Sequence, residues 1–417
     1  MIIKNSLKDD IYLIKVSKER YLVYSPLRRR LFSVDKIAAD YVRKFINGED
    51  FVLIDEKLKT LYNHLLTLNE LIPESPIDNR EQYGRILTVI LSQICNMSCT
   101  YCYATAAHSN KVLSIEKFKT FINWCYENGR DEIEKIVFIG GGEPMVTWCL
   151  LKESILYLKK KYINTSCSII TNASLIDAEK CDFFSEHNIH IVVSYDILPK
   201  VQNIQRPIKD KNSHQIVDKN IKLLNSRGVY ITGFRSTITL INVDKMKDMV
   251  EYALKHYPFV KSINLEPVTD NNIPRVFYKK FIKNFMLAYE LGKKNNVNVY
   301  CSFSMSLGTL KYHFCQRELC LTPSGDIVSC HRNSSNADTY FDYFKIGKVT
   351  NTVSLADYNQ MLLKKEKPIS CKTCFAKWHC AGGCVATRLR LSNFENTERC
   401  KFIKQLLTKI LFDEILK

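Results

Sequence analysis

The sequence has no unbroken apolar run long enough to cross a bilayer, so no segment reads as a transmembrane helix and no membrane partner is expected. It also lacks a secretory signature, because Asp9 and Asp10 arrive before an apolar stretch of signal-peptide length develops. No internal repeat is present, which excludes a repeat array. Acid is in short supply: Asp+Glu is 43 against Lys+Arg 60, a formal net charge of +17. On composition alone that surplus suggests a polyanionic partner. No dense Arg/Lys stripe with interleaved aromatics accompanies it, however, and pairs such as Lys279-Lys280 and Lys364-Lys365 read as solvated helix faces. Nucleic acid is therefore not the expected partner. The 16 cysteines in 417 residues fall far below the density of a small disulfide scaffold. With no export signal the expected compartment is cytoplasmic, where grouped cysteines read as metal ligands or redox thiols before disulfides. The chain does have a 46% hydrophobic content with 21 Phe and 22 Tyr, which excludes disorder and allows two or three packed domains.

Residues 1–80 read as a small separate α+β unit. Segments 11–16 and 21–24 form a hairpin pattern around Ser17-Lys18-Glu19-Arg20, and 30–33 suggests a third strand. Helical spacing follows at 37–45 and 58–68, and Pro73-Glu74-Ser75-Pro76 marks a linker. Such a unit is either a cap on the body or a peptide-binding module. Between 85 and 298 the pattern alternates. Strands are expected at 87–91, 136–139, 167–170, 189–193, 231–239 and 262–266, with helices at 114–127, 148–160, 177–186, 215–226, 246–255 and 276–293. This βα rhythm predicts an α/β chain with a partial (β/α)6 TIM-like barrel, short of the complete eightfold form. From 299 to 417, glycine turns, short apolar pieces and most of the cysteines predict a small metal-stapled domain closed by a helix at 401–416.

Cys95, Cys99 and Cys102 form a C-x3-C-x2-C set directly after the first barrel strand, at the end where barrel sites lie. Soft thiolates select iron–sulfur, zinc or copper. Three of them can hold three corners of a cubane and leave the fourth open. The spacing alone also permits a zinc site or a redox pair. A second array runs Cys315, Cys320, Cys330, Cys371, Cys374, Cys380, Cys384 and Cys400. These eight thiols would saturate two cubanes, or two four-cysteine zinc sites. Cys125, Cys149, Cys167, Cys181 and Cys301 read as inert packing, and His108 and His313 as surface histidines.

The motifs together resemble the radical S-adenosylmethionine (SAM) superfamily, in its SPASM-domain branch. The resemblance rests on Cys95, Cys99, Tyr101 and Cys102; on Gly141-Gly142-Glu143-Pro144; on Thr171-Asn172-Ala173; on Ser194-Tyr195-Asp196; and on Arg235-Ser236-Thr237 and Glu266-Pro267-Val268. It covers about residues 85–400, and it implies a SAM-binding cluster on the first cysteine set. Gly141, Gly142, Glu143, Pro144, Asn172, Ser194, Asp196 and Val268 are then expected around SAM, and either Arg206 or Arg235 around its carboxylate. The resemblance also implies two auxiliary [4Fe–4S] clusters, three clusters in all. One would sit on Cys315, Cys320, Cys330 and Cys384, the other on Cys371, Cys374, Cys380 and Cys400.

The implied activity is hydrogen abstraction from a ribosomally made precursor peptide, closing a C–C or C–S crosslink. The implied electron donor is a flavodoxin or ferredoxin, and residues 1–80 loosely resemble a precursor-recognition domain. A sulfatase-maturing enzyme forming formylglycine is the alternative. That group usually carries Asp directly after the third cysteine of the first auxiliary set, where this chain has His331, a candidate base. A peptide epimerase and a non-catalytic iron–sulfur or zinc protein remain further alternatives.

Overall fold

The computed structural model describes residues 10–49, 55–76, 86–129, 133–269, 273–315, 318–350, 360, 364 and 367–416. Asp9, the boundary at 80–85 and Lys365 lie outside that set. The N-terminal segment forms β1 (Tyr12–Lys15), β2 (Arg20–Ser25), β3 (Arg30–Asp35), α1 (Lys36–Asn47) and α2 (Glu56–Glu70). Its strands make an antiparallel sheet in the order β1-β2-β3. Ser17 Oγ accepts the Glu19 and Arg20 N–H groups and so sets the first turn. Asp35 and Asp55 cap the two helices by accepting backbone N–H groups. The two-residue alternation of β2 divides its side chains. Val23 joins Val42, Phe45, Leu65 and Leu68 beneath the helices, while Leu22 and Tyr24 enter the main core.

The next elements are β4 (Ile86–Val89), α3 (Ile115–Gly129), β5 (Lys135–Phe138), α4 (Trp148–Lys161), β6 (Ser166–Thr171) and α5 (Ala178–Glu186). Then come β7 (His190–Ser194), α6 (Pro199–Gln205), α7 (Ser213–Ser226), β8 (Ile231–Ile238), α8 (Met246–His256), β9 (Ser262–Pro267), α9 (Arg275–Lys294) and β10 (Asn298–Tyr300). The C-terminal part holds α10 (Ser302–Met305), β11 (Leu319–Leu321), β12 (Asp326–Val328), α11 (Phe341–Phe344), β13 (Lys345–Lys348), α12 (Val385–Arg390) and α13 (Asn393–Ile415).

One mixed sheet runs β10-β9-β8-β7-β6-β5-β4-β11-β12-β13. Strands β4 to β10 are parallel, β11 is parallel to β4 on its other side, and β12 and β13 continue antiparallel. The end strands β10 and β13 do not pair, so the sheet stays open. The expected α/β partial barrel is present, with a parallel strand added on each side of the six expected ones.

One face of the parallel strands is apolar, with Ile136, Phe138, Ile169, Ile191, Val193, Phe234 and Ile263, while the other carries polar residues such as Thr88, Ser168, Ser194, Arg235 and Glu266. Phe118, Phe121, Phe138, Phe184, Phe234, Phe277, Phe281 and Phe285 are fully buried. Each such side chain contributes on the order of 2–3 kcal/mol. The last helix starts at Asn393, earlier than the expected 401, because Ser392 and Glu395 form a capping box. Cys400 therefore lies within the helix. The same helix stacks Phe402 on Tyr278 at 4.7 Å and so packs against α9. Among the described residues no helix is long and apolar enough to cross a membrane.

Candidate active site

The loop after β4 carries Cys95, Cys99 and Cys102, and the ends of the following strands surround it. Its backbone is tied to the turn after α6: Ser98 N–H donates to the Pro207 carbonyl at 3.1 Å and Thr100 N–H to that of Gln205 at 2.9 Å. Its stem is tied to the glycine turn after β5. There Gly142 N–H donates to Ser92 O at 2.9 Å and Glu143 N–H to Ile94 O at 2.8 Å. A Cβ on Gly142 would stand 1.9 Å from the Ile94 carbonyl oxygen, so only glycine permits this approach. Gly141 adopts φ +88°, the left-handed region.

Glu143 is buried and its carboxylate is fully engaged. One oxygen accepts Met145 N–H at 3.1 Å and Thr171 Oγ1 at 2.6 Å, and the other accepts Asn172 N–H at 2.8 Å. Burial raises its pKa, and these three donors oppose the shift. Pro144 opens the short turn that presents Met145. Asn172 donates to Asn96 Oδ1 at 3.0 Å, and Asn96 donates to Ser174 Oγ at 2.7 Å, which joins the cysteine loop to the end of β6. Ala173 stands at φ +57°, where glycine is the unstrained residue.

Asp196 is wholly buried and similarly engaged. Its Oδ2 accepts the Tyr101 hydroxyl at 2.7 Å, Gln205 Nε2 at 2.9 Å and Arg206 Nε at 3.2 Å. Its Oδ1 accepts Ser236 Oγ at 2.9 Å and Thr237 N–H at 3.1 Å. The Arg206 guanidinium lies 5.3 Å from the Tyr101 ring centroid. Sequence reasoning set Glu143 and Asp196 toward SAM. The fold gives both carboxylates protein partners, so they also anchor the loops around the site. Arg206 and Arg235 differ in setting: Arg206 is buried beside Cys99, while Arg235 is exposed on β8, opposite Ser194 of β7, and within electrostatic reach of Tyr103 and Tyr300. Val268 follows β9, half-buried, its N–H held by the Ile238 carbonyl.

Burial pushes the Cys95 thiol up to about 12, and Glu143, Cys99 and Cys102 add to the shift. Burial also raises Cys99, opposed by Arg206. The three thiols thus feel one another on one loop. In the second array, Cys371, Cys380 and Cys400 interact with one another and with Cys374. The Cys315 thiol hydrogen-bonds the Cys384 sulfur, and Cys320 interacts with Cys330. Among the described residues no three His, Cys, Asp or Glu side chains form a group that could hold one metal ion. In a cubane each thiolate binds its own iron, so its ligands need not converge on one point. The soft donor sets and the glycine cradle fit iron–sulfur clusters in that sense.

His331 follows Cys330. Its Nδ1 pairs with Glu318 Oε1, and its N–H donates to the same oxygen at 3.2 Å. Its ring meets Tyr103 edge-on at 5.9 Å. Sequence reasoning missed Glu318 and Tyr103. The hairpin register that pairs Cys320 with Val328, extended outward, sets Glu318 opposite Cys330, so Glu318 was in principle readable. His313 is buried, against the expectation of a surface histidine. His108 is exposed, with Nε2 3.9 Å from Cys102 Sγ. Cys125, Cys167, Cys181 and Cys301 are buried, and Cys149 is exposed.

Residues 89–256 match the radical SAM superfamily. The chain is 21% identical over 370 residues to the radical SAM cyclopropyl synthase TigE of Paramaledivibacter caminithermalis, covering 80% of this chain and 75% of that protein. It is 24% identical to the cysteine-type anaerobic sulfatase-maturating enzyme of Clostridium novyi, covering 73% and 88%. The solved structure of anSMEcpe with bound AdoMet and Cp18Cys peptide shares the fold at TM-score 0.64 and 18% identity, over 79% of this chain and 99% of that one. The cysteine loop, the glycine cradle and this match together identify residues 89–256 as a radical SAM domain, within a fold shared with that structure.

Proposed function

We propose that this enzyme oxidises a residue of a peptide or protein substrate. The observation that carries the reading is the joining of Cys95, Cys99 and Cys102 to Arg206, Asp196 and Tyr101 at the strand ends of an open barrel. Cys95, Cys99 and Cys102 would hold the SAM-binding cluster, and the two auxiliary sets would hold one cluster each. Bound there, cluster and SAM would supply the radical chemistry that removes hydrogen from substrate. The chain's own work is orientation. Gly141 and Gly142 admit close backbone approach. Asp196 fixes Tyr101 and Arg206, so that the guanidinium beside Cys99 is the candidate partner of the SAM carboxylate. Glu318 fixes the tautomer and direction of His331, the candidate proton acceptor.

Of the finer readings, formylglycine formation from a Cys or Ser side chain has the broader support. The sulfatase-maturating relative is matched at 24% identity over 88% of its length, the ring-forming one at 21% over 75%. A specific feature supports ring closure on a precursor instead. A cavity of about 710 Å³ opens along β1, an edge strand of the N-terminal sheet. Ile11, Leu13, Tyr21 and Ile46 line it together with Lys15, Arg43, Lys372 and Lys377. An edge strand with apolar pockets and cations suits an extended acidic segment.

Anaerobic turnover of a Cys-containing peptide and its Ser variant, read by mass spectrometry, tests the reading. Formylglycine from Cys exchanges sulfur for oxygen with loss of two hydrogens. A crosslink loses two hydrogens and keeps sulfur. For the Ser variant both products lose two hydrogens, and fragmentation separates aldehyde from ring. SAM cleavage with no change in any peptide or protein substrate would reject the proposal.

A further inference from the structure

Arg332 touches more of the candidate redox path than any residue assigned above. Its NH1 lies 4.0 Å from Cys384 Sγ and 3.1 Å from Thr387 Oγ1, and its NH2 donates to Thr269 Oγ1 at 2.8 Å. The guanidinium carbon stands 5.5 Å from the centroid of the Tyr103 ring, and Tyr103 directly follows Cys102. One side chain thus bridges the first cysteine loop, the end of β9, helix α12 and a thiol of the first auxiliary set. Beside it, Asn333 Nδ2 donates to Cys330 Sγ at 3.5 Å, and Arg390 NH2 holds the Asn333 carbonyl oxygen at 2.8 Å.

We propose that Arg332 is the positioning residue that makes the Cys315, Cys320, Cys330 and Cys384 site an electron acceptor. The inference rests on the proposed substrate oxidation. After hydrogen abstraction, the substrate carbon radical loses one electron and one proton as the new bond forms. The auxiliary site takes that electron, passing from its oxidised to its one-electron-reduced level. Cys320 and Cys330 are buried, and low dielectric opposes that added negative charge. A fixed guanidinium at a ligand sulfur, with a side-chain amide at another, offsets the cost. Hydrogen bonds to cluster sulfurs raise reduction potential in the same sense. The Thr269 and Thr387 contacts hold the fork in place, which lysine cannot reproduce.

The test is an EPR-monitored redox titration of the full chain, reconstituted with iron and sulfide, without peptide. Arg332→Gln is expected to move one midpoint to more negative potential and leave the others in place. Arg332→Lys should give a smaller shift in the same direction, and Thr387→Val, which frees one anchor, a smaller one again. If Arg332→Gln loses iron, the lysine and valine variants decide. Unchanged midpoints at full iron content in those variants overturn the proposal. The readout needs no substrate, so a failed peptide reading would leave the shift intact. Unshifted midpoints in a protein that still modifies peptide would remove this inference alone.

Discussion

Gly142→Ala is the sharpest perturbation of the site, because its consequence follows from distances alone. The new Cβ would stand 1.9 Å from the Ile94 carbonyl oxygen, 2.4 Å from its carbon and 2.7 Å from its nitrogen. All three are backbone atoms, so no rotamer change relieves the overlap, and the segment must move by about an ångström to reach ordinary contact. That movement breaks two inter-loop bonds, Gly142 N–H to Ser92 O at 2.9 Å and Glu143 N–H to Ile94 O at 2.8 Å. Each contributes about 1 kcal/mol, and a buried group left unpaired costs about 1–3 kcal/mol, so the local loss is about 2–4 kcal/mol. Ile94 precedes Cys95, so a proposed cluster ligand moves with it. Misplacement on that scale costs on the order of a hundredfold in rate. The assays are iron content after reconstitution, reductive SAM cleavage and a thermal melt. Gly308→Ala, with nothing within 4 Å of its added Cβ, is the matched control and should leave all three unchanged. A Gly142→Ala protein with wild-type iron content and SAM cleavage would refute the claim that this approach builds the site.

Asp196→Asn should weaken SAM binding by about 10–100-fold in calorimetry, since it releases Arg206 and Tyr101 together. Phe281→Ala, which opens a hole between α9 and α13, should cost about 3–5 kcal/mol in denaturant unfolding without changing iron content. Lys15→Glu with Arg43→Glu should lower affinity for a labelled acidic peptide and flatten its salt dependence, read by fluorescence anisotropy. Asp218 should govern part of the acid limb of stability. Burial alone would raise its pKa, but hydrogen bonds from Lys222 and Tyr257 hold it below the ordinary carboxylate range. Its contribution is therefore present above the unfolded-state pKa near 3.8 and is lost as pH falls through the lowered folded value. Asp218→Asn should flatten unfolding free energy against pH in that window and leave the neutral-to-alkaline limb alone.

The alternating βα pattern was legible because each element obeys its own period. The Asp177 cap of α5 and the Gly325 turn at φ +83° between β11 and β12 were equally local signals. What escaped was non-local or short. β10 is three residues, too brief for a periodic pattern, and its pairing with β9, like that of β11 with β4, is a property of the sheet. The start of α13 escaped because the apolar spacing used to find it begins after its capping box. At the site, residue types were readable and their partners were not. A carboxylate in a SAM-like motif invites a cationic ligand, yet Asp196 meets five protein donors from Tyr101, Gln205, Arg206, Ser236 and Thr237. Those donors come from the cysteine loop, the end of α6 and β8, which only the tertiary fold brings together. Ala173 marks the reverse case. Its φ of +57° is one that favours glycine, so the alanine carries about 1–2 kcal/mol of backbone strain, partly offset by its buried methyl.

The register of β11 on β4 sets how the auxiliary sites relate to the barrel. Parallel pairing puts Leu319 beside Leu87, Cys320 beside Thr88 and Leu321 beside Val89. Cys320 is thus fixed on the strand next to the one whose end carries Cys95. Ile90 N–H continues the contact by donating to the Leu321 carbonyl at 2.9 Å. The β11–β12 hairpin then returns to Cys330, whose neighbours His331 and Arg332 reach Tyr103 on the cysteine loop. A tethered second domain would leave the distance between the first cysteine set and the first auxiliary set to linker motion. Here that spacing is set by consecutive hydrogen-bonded strands of one sheet. The second auxiliary set is held differently. Cys400 rides on α13 and is exposed, and the loop of Cys371, Cys374 and Cys380 is pinned through His379 to Tyr24 of the N-terminal sheet at 2.5 Å. The two proposed ligand sets therefore have different mechanical anchors. One belongs to the barrel sheet, and the other belongs to the surface where the N-terminal unit docks.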